Sequence, residues 1–503
     1  MQSKTQTAPA EQEEREVARP TYGNFRKPRN VGLWNMSMEL TLTVFGIAAI
    51  TVVLVLNQQW LVAVVVDAIA AVVVGTLSHK DVHGVSVAAK WMERVMFKRA
   101  KRAGRNLYRS GPVGAVPSRA TPLPGMLAGS RVSEHVDSFD RRFALVHHAD
   151  RSVTVVMSVT PPGIDLVDTE QLDNEVAQWG EWLAMLGNEV GVVQASVVVE
   201  TSPDSGQSLA RHIATSANPD APQVARHVME EIGAEYRTGA AQMRAWVTVS
   251  FLPSSMASKK RSLEETARDI GGRLTGITQQ LKAAGAGAVH LVGAHELARF
   301  IRTAFDPAAA DLFDRASLMG EEVQIGWEDA GPIGAQAEWD FYRHDSGVSR
   351  SWVVSQPPQG VVHENVLEPL LRINSDIERK RVALLYRPIE AARTGDIAEQ
   401  DQVRANNQVN VSKSTNARAL REAKIAARNA SEEAAGAGIE DFVLIVTATT
   451  MGESLDDASS VVRALAASSK LPKIRVAYGA QDSAFALALP LGLRPSASAV
   501  KGL

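Results

Sequence analysis

Cysteine is absent from the 503-residue sequence. Its absence excludes disulfides, thiolate zinc sites, iron–sulfur clusters and a cysteine nucleophile. Neither sign of charge dominates, because 53 Lys and Arg residues stand against 56 Asp and Glu residues, for a net charge of −3. Bulk charge therefore does not predict nucleic-acid binding. A hydrophobic fraction of 45% and a charged fraction of 22% exclude both a disordered chain and a polytopic transporter.

Two apolar runs, 40–56 and 61–77, lie close together near the N-terminus, with Asp67 as the single charged residue inside them. The residues between them leave room only for a tight turn. Runs of this length are at the lower limit for crossing a hydrocarbon core of about 30 Å. A long polar stretch precedes the first run, which argues against a signal peptide. We predict a transmembrane helical hairpin over 40–77; a buried hairpin in a soluble fold is the alternative.

Basic residues flank both ends of this hairpin, whereas its turn carries no charge. By the positive-inside rule, the N-terminal tail (1–39) and all residues after the hairpin are expected in the cytoplasm. A carboxylate is costly in a lipid-exposed helix. We therefore expect Asp67 to face another helix, another subunit or the outer interface rather than to form part of a proton path.

A basic amphipathic helix is predicted over 78–110, immediately after the hairpin. Its apolar positions, Trp91 among them, recur at helical spacing, as is typical of one helix face. Such a helix below a membrane usually lies on anionic headgroups. Contact with a partner protein is an alternative, and direct nucleic-acid contact is disfavoured because few aromatic residues are interleaved. The basic residues expected at the interface are Arg94, Lys98, Arg99, Lys101, Arg102 and Arg105.

The remaining chain alternates strand-like and helix-like patterns, which predicts an α+β fold with mixed or antiparallel sheets. A segment rich in proline and glycine (111–131) is expected to be a linker or an extended wrap. An α+β domain should follow over 132–310, and a second α+β part over 311–503. The second part contains a long helix, near 399–435, that is polar on nearly every face. Such a helix usually bridges solvent or binds a partner.

Catalytic motifs are missing from the sequence. It contains no G-x-x-x-x-G-K-[ST] string and no complete dinucleotide fingerprint. His147 and His148 are adjacent in a predicted strand, so their rings should point to opposite faces and not share a metal. We therefore expect no catalytic, cofactor-binding or metal-binding residues and no cofactor.

Several strings resemble those of an actinobacterial integral membrane protein family carried on conjugative elements: residues 107–112, 123–125, the 147–159 hairpin, the helix from Trp179 to Trp182, and 199–201. Their order after the hairpin and the basic helix also matches. That family is similar to the two-helix inner-membrane subunit of type IV secretion systems joined to the N-terminal, non-motor domain of the secretion ATPase. The resemblance covers most of the chain from about Thr21 to Pro490, and no catalytic residue can be carried over because the motor part has no counterpart here.

The resemblance implies a non-enzymatic, oligomeric scaffold that contacts other inner-membrane channel subunits and docks a separately encoded ATPase. The polar helix is the expected docking surface, with Arg404, Arg418, Arg421, Lys424 and Arg428 as its basic residues. Two alternatives remain from the sequence: a membrane subunit of a type VII secretion machine, and a membrane-tethered enzyme.

Overall fold

The computed structural model describes residues 38–495 except for gaps, of which the longer are 112–121, 205–212, 214–217, 236–240, 257–261, 412–419 and 428–439. The described chain is α+β, as predicted, and is built on one large antiparallel sheet. No helix in the described residues combines the length and apolar character needed to cross a membrane.

The described part of the chain starts with two antiparallel helices, α1 (Met38–Leu56) and α2 (Trp60–Ser78). Gln58 turns the chain between them with φ +59°, a conformation that few residues other than glycine adopt. Most described apolar side chains on both helices are exposed; Leu42, Ile50, Val64 and Ile69 are each at least 55% accessible. A third helix, α3 (Val87–Arg102), begins at Ser86, whose hydroxyl accepts a hydrogen bond from the backbone N–H of Ala89 and so caps the helix.

Thirteen strands form the sheet within the described residues. The central path runs β1-β8-β9-β10-β12-β11-β5-β6-β4-β3-β2, while β13 pairs with β10 and β7 with β4. The bounds are β1 Leu107–Arg109, β2 Arg131–Val136, β3 Arg142–His147, β4 Val153–Thr160, β5 Val192–Pro203, β6 Ala241–Phe251, β7 Ala288–Leu291, β8 Gly334–Ala337, β9 Tyr342–His344, β10 Gly347–Val354, β11 Arg379–Pro388, β12 Glu440–Thr450 and β13 Ile474–Val476. Strand β5, from the first predicted α+β part, pairs directly with β11, from the second.

Alternating side chains on each strand build two layers of core, one on each face of the sheet. On β3, Ala144 and Val146 face one layer, while Phe143 and Leu145 face the other. The first face is covered by α8 (Ala294–Phe305), α13 (Gln481–Leu487) and residues 488–493. The second face is covered by α4 (Thr169–Asn188) and α7 (Leu263–Leu281) at one end, and by α10 (Glu368–Leu371) and α12 (Leu455–Ser468) at the other.

The remaining helices are α5 (Gln223–Glu235), α6 (Pro253–Met256), α9 (Ala309–Leu318) and α11 (Ala391–Val411). Helix α7 has a capping box, in which Ser262 and Glu265 satisfy each other's backbone N–H groups. The described part of the predicted linker, 122–130, packs into the protein as a wrap, because Leu123 and Leu127 are fully buried.

The end of the described chain is held inside the fold. The Ser250 hydroxyl donates to the carbonyl of Gly492 (2.9 Å), and the Gln194 amide donates to the carbonyl of Leu493 (2.8 Å). The hydroxyls of Ser250 and Thr154 are hydrogen-bonded to each other, and Thr154 in turn bonds the Nε2 of His148 (3.0 Å). A buried polar chain thus runs across the sheet to the C-terminal segment.

Candidate functional site

Helix α3 is attached to the sheet body along one side. The Phe97 ring packs edge-on against Trp339, with 5.4 Å between centroids, and Trp339 stacks on Tyr478. The Lys101 ammonium lies 2.7 Å from a carboxylate oxygen of Glu338. We call the α3 latch the set of contacts made by the Phe97–Trp339 ring packing, the Lys101–Glu338 ion pair and the Glu93–Arg475 ion pair on the same side of the helix. It connects the apolar hairpin to the rest of the protein.

The opposite side of α3 is open and carries both apolar and basic groups. Trp91 and Met96 are each 62% exposed, and the basic residues predicted at the interface are exposed as well. Exposed apolar groups interspersed with cations can contact both the acyl boundary and the anionic headgroups of a membrane. We call this side, with the exposed faces of α1 and α2, the anchor surface; its α3 members are Val87, Trp91, Met92, Arg94, Met96, Lys98, Arg99 and Arg102.

Lys101 and Arg105 differ from the other predicted interface residues. Lys101 belongs to the latch, although its ammonium group remains about half exposed. Arg105 lies after the end of α3, in the turn that leads to β1. Four of the six predicted basic residues therefore lie on the open side of the helix, and two near its junction with the sheet.

Asp67 has a partner within the hairpin itself. The Thr51 hydroxyl of α1 donates to a carboxylate oxygen of Asp67 on α2 at 2.5 Å, and the same hydroxyl lies 3.1 Å from the carbonyl of Ile47. A hydrogen bond between two apolar helices reduces the cost of placing the carboxylate there. Asp67 thus faces another helix, one of the locations predicted from the sequence.

The predicted docking helix is only partly described. Helix α11 begins at Ala391, earlier than expected, and it is not polar all round, because Ala398 and Ala405 are buried. Their spacing of seven residues places both on one side. Arg404 and Lys424 are exposed. Arg418, Arg421 and Arg428 lie outside the described residues.

A cleft of about 800 Å³ opens on the first face of the sheet, between that face and helices α8 and α9. Its apolar wall includes Trp246 and Phe300, whose ring centroids are 4.4 Å apart. Its polar lining includes Glu200, Arg244 and Arg379. The volume falls within the range of small-molecule sites. The sequence did not predict this cleft, because its walls come from segments that are far apart in the chain.

A buried ion cluster forms the base of the cleft and continues beneath it. The Glu200 carboxylate on β5 accepts a hydrogen bond from Arg379 (2.7 Å) and lies 2.9 Å from the Nε of Arg381, both on β11. The Arg381 guanidinium lies over the Phe485 ring at 4.7 Å, a favourable cation–π contact. Burial lowers the pKa of Arg381 to about 10, while the Glu200 charge opposes that shift.

Two further buried groups have strongly shifted pKa values for the same reason. Burial lowers the pKa of both His148 and His344 to about 4. The His344 ring bonds the carbonyl of Phe305 and the hydroxyl of Ser349. Both histidines are therefore neutral near pH 7 and act as structural hydrogen-bonding groups.

The adjacent pair His147 and His148 behaves as the strand pattern predicted. The His147 ring bonds Ser133, while the His148 ring bonds Thr154 in the opposite layer. The described residues include no group of three or more His, Asp or Glu side chains that could hold a metal ion. The sequence missed that His147 meets Ser133 and His135, because β2 was not predicted as a strand.

Comparison with known proteins does not assign the chain: no protein-family model matches it, and no curated protein matches it.

Proposed function

We propose that this protein is a membrane-anchored, non-enzymatic scaffold of a type IV secretion machine of the conjugative kind. In this proposal the hairpin lies in the bacterial inner membrane with both chain ends in the cytoplasm. The sheet body then docks a separately encoded ATPase and contacts other channel subunits. The observation that carries the proposal is the anchor surface, a large exposed apolar area that is joined to a folded body through the α3 latch.

The exposed hairpin side chains support membrane insertion. Burying one Val, Leu or Ile side chain is favourable by about 1.5–3 kcal/mol, and monomeric soluble proteins rarely leave such contiguous patches in water. The Thr51–Asp67 hydrogen bond supports insertion of the two helices as a pair.

The latch supports a defined orientation of the body on the membrane. Because Phe97 and Lys101 hold α3 against the sheet, the opposite side of α3 is presented outwards with its basic residues. Each basic residue close to an anionic leaflet contributes about 1 kcal/mol of attraction. The body is thereby held close to the inner face of the membrane, where a cytoplasmic ATPase can bind it.

Helix α11 supports the partner-docking part of the proposal. Its alanines Ala398 and Ala405 are buried, whereas Val403 is 52% exposed next to the exposed Arg404. The exposed side of a helix that is itself attached to the body can provide a stable contact for a partner. The assignment of that partner as a secretion ATPase rests on the family resemblance.

The proposal is tested by extracting the C-terminally tagged protein with mild detergent from its native host and identifying the co-purifying proteins by mass spectrometry. We expect membrane localisation and recovery of a conjugation-type ATPase without a membrane region of its own. Components of a type VII machine would move the scaffold to that system. Recovery of the protein alone under several mild detergents would contradict the scaffold role.

The docking surface is tested in the same experiment with charge reversals. Changing Arg404 and Lys424 to glutamate should reduce ATPase recovery while leaving membrane localisation unchanged. The matched control is Arg142→Glu, because this side chain is 79% exposed on the distant strand β3. Equal recovery from the variant with both Arg404→Glu and Lys424→Glu and from the control would exclude the predicted polar segment 399–435 as the docking surface.

The cleft provides a specific observation in favour of the tethered-enzyme alternative, because its volume could hold a small substrate. A ligand that binds only the folded state raises the unfolding midpoint by mass action. A nucleotide or a divalent magnesium salt that raises the Tm of the wild-type protein, but not of an Arg379→Met variant, would favour the enzyme. The scaffold proposal expects no such shift.

A further inference from the structure

Ser133, His135 and His147 converge at the edge of the sheet, away from the anchor surface and the cleft. Ser133 and His135 are two residues apart on β2, so both side chains point to the same face. His147 lies opposite Arg131 on the paired strand β3, which places its ring diagonally across from Ser133 on that face. The pairing of β2 with β3 therefore brings two imidazoles to the two sides of one hydroxyl.

The two rings approach that hydroxyl with the same atom. The Nε2 of His135 and the Nε2 of His147 each lie 2.8 Å from the Ser133 Oγ. The two nitrogen atoms are therefore no farther apart than twice that distance. A tetrahedral metal ion with nitrogen ligands at about 2.0–2.1 Å needs both nitrogens to point at one centre. Small side-chain rotations, with the hydroxyl displaced or retained as a weak ligand, would bring the rings to that geometry.

The surroundings allow an ion to enter. All three side chains are half-buried; Ser133 and His135 lie on the edge strand β2, which pairs only with β3 among the described strands, and His147 lies on β3. Water can therefore supply the remaining ligands. Burial lowers the pKa of the His135 ring, and the charge of Glu264, in the first turn of α7, opposes that shift. Burial, the His135 ring and Arg131 lower the pKa of His147. The Glu264 carboxylate thus adds negative charge near His135.

A purely structural role is the competing explanation, since a hydroxyl can donate to one imidazole and accept from the other. Such a network does not require that both rings present the same nitrogen to one exposed point. His148 is the contrast within this protein, because its ring is buried and continues a hydrogen-bonded chain through Thr154.

We infer that His135 and His147 form a binding site for a first-row transition-metal ion, Zn²⁺ or Cu²⁺, at the β2–β3 edge, with Ser133 between them. Imidazole ligands suit both ions, and among divalent first-row metal ions Cu²⁺ is generally bound most tightly. The site has two protein nitrogens and open positions, which is typical of an exchangeable ion rather than a buried structural one.

The test is calorimetric titration of Zn²⁺ into the full-length protein in detergent, with electron paramagnetic resonance of the Cu²⁺ complex. We expect one site whose affinity falls by at least about tenfold in His135→Gln and in His147→Gln, because losing even an outer-shell partner of a metal costs 10–100-fold. The Cu²⁺ spectrum should show coupling to two imidazole nitrogens in the wild type and to one in each variant. Ser133→Ala should retain binding.

His290→Gln is the matched control, because this histidine is 72% exposed on β7, where it pairs with Ser158 of β4. It should bind Zn²⁺ as the wild type does. Equal Zn²⁺ affinity of the wild type and the His135→Gln, His147→Gln double variant would overturn the inference. So would a Cu²⁺ spectrum that the double variant leaves unchanged, since the ion would then be bound elsewhere. Thermal unfolding of each variant without metal verifies that it is folded.

Discussion

Replacing Glu200 with glutamine should strongly destabilise the protein. Among the described residues, Glu200 is the only carboxylate that forms ion pairs with two buried guanidinium groups, those of Arg379 and Arg381. Glu200 and Arg381 are each 1% exposed and Arg379 is 7% exposed. The carboxylate lies 2.7 Å from Arg379 and 2.9 Å from Arg381. Breaking a buried ion pair from one side typically costs about 3–5 kcal/mol, since the remaining charge stays buried without compensation.

This loss would be a large part of the total stability, which is about 5–15 kcal/mol for a typical domain. It can be measured by urea unfolding of the full-length protein in detergent, followed by the fluorescence of buried tryptophans such as Trp182 and Trp352. The urea concentration at the midpoint of unfolding should fall, while the dependence of the unfolding free energy on urea concentration should stay the same if the same surface is exposed on unfolding.

Two comparisons make the result specific. Asp456→Asn removes an ion pair whose acid is 92% exposed, and exposed pairs contribute little. Replacing Glu200 with leucine together with Arg379 and Arg381 with methionine should restore most of the loss, because apolar residues remove all three buried charges. If Glu200→Gln lowers the free energy of unfolding by less than about 1 kcal/mol, the two buried guanidinium groups do not depend on the Glu200 charge, and the reasoning is refuted.

Three further predictions concern the C-terminal segment, pH and the latch. Gly492→Ala should lower the Tm and expose the C-terminus to proteolysis, because φ is +62° and a Cβ would overlap two sheet side chains. His148 has a folded pKa of about 4, below its usual 6.5, so its stabilising contribution is present above pH 6.5 and is lost as the pH falls towards 4. In that window the contribution of His148 should fall by about 1.4 kcal/mol per pH unit, and His344, whose pKa is also lowered to about 4, adds a similar dependence. The free energy of unfolding measured with urea should therefore depend less steeply on pH in His148→Gln than in the wild type. Trp339→Ala should release α3 from the sheet. Because the chain contains no cysteine, K101C and E338C introduce a single cysteine pair that a short bismaleimide can cross-link, and this cross-link should form less efficiently when Trp339 is replaced. Unchanged cross-linking would contradict the latch.

The sequence predicted many elements closely, because their patterns are local. The apolar runs 40–56 and 61–77 coincide closely with α1 and α2, and the basic helix expected over 78–110 contains α3. Helices with apolar residues at helical spacing can be recognised in this way. The short strands β1, β2, β8 and β9 were missed, because none has enough alternating residues to stand out.

The candidate sites were predicted less well. The exposed basic residues of α3 follow from composition and position, so the sequence was sufficient to predict them. The latch was not predicted, since Phe97 and Trp339 are separated by most of the first α+β part. The docking helix near 399–435 was expected to be polar on nearly every face, and the structure shows that Ala405 in it is buried; alanines do not mark a face until a neighbouring surface covers them.

The sequence by itself determined the α+β class, the apolar hairpin followed by a basic helix, and the absence of thiol chemistry. Each depends on composition or on a repeat within a few residues. Only the tertiary structure decided that β5 pairs with β11, that Glu200 compensates Arg379 and Arg381, and that His135 and His147 share one hydroxyl. These contacts depend on strand order and register, which arise from long-range packing of the whole sheet.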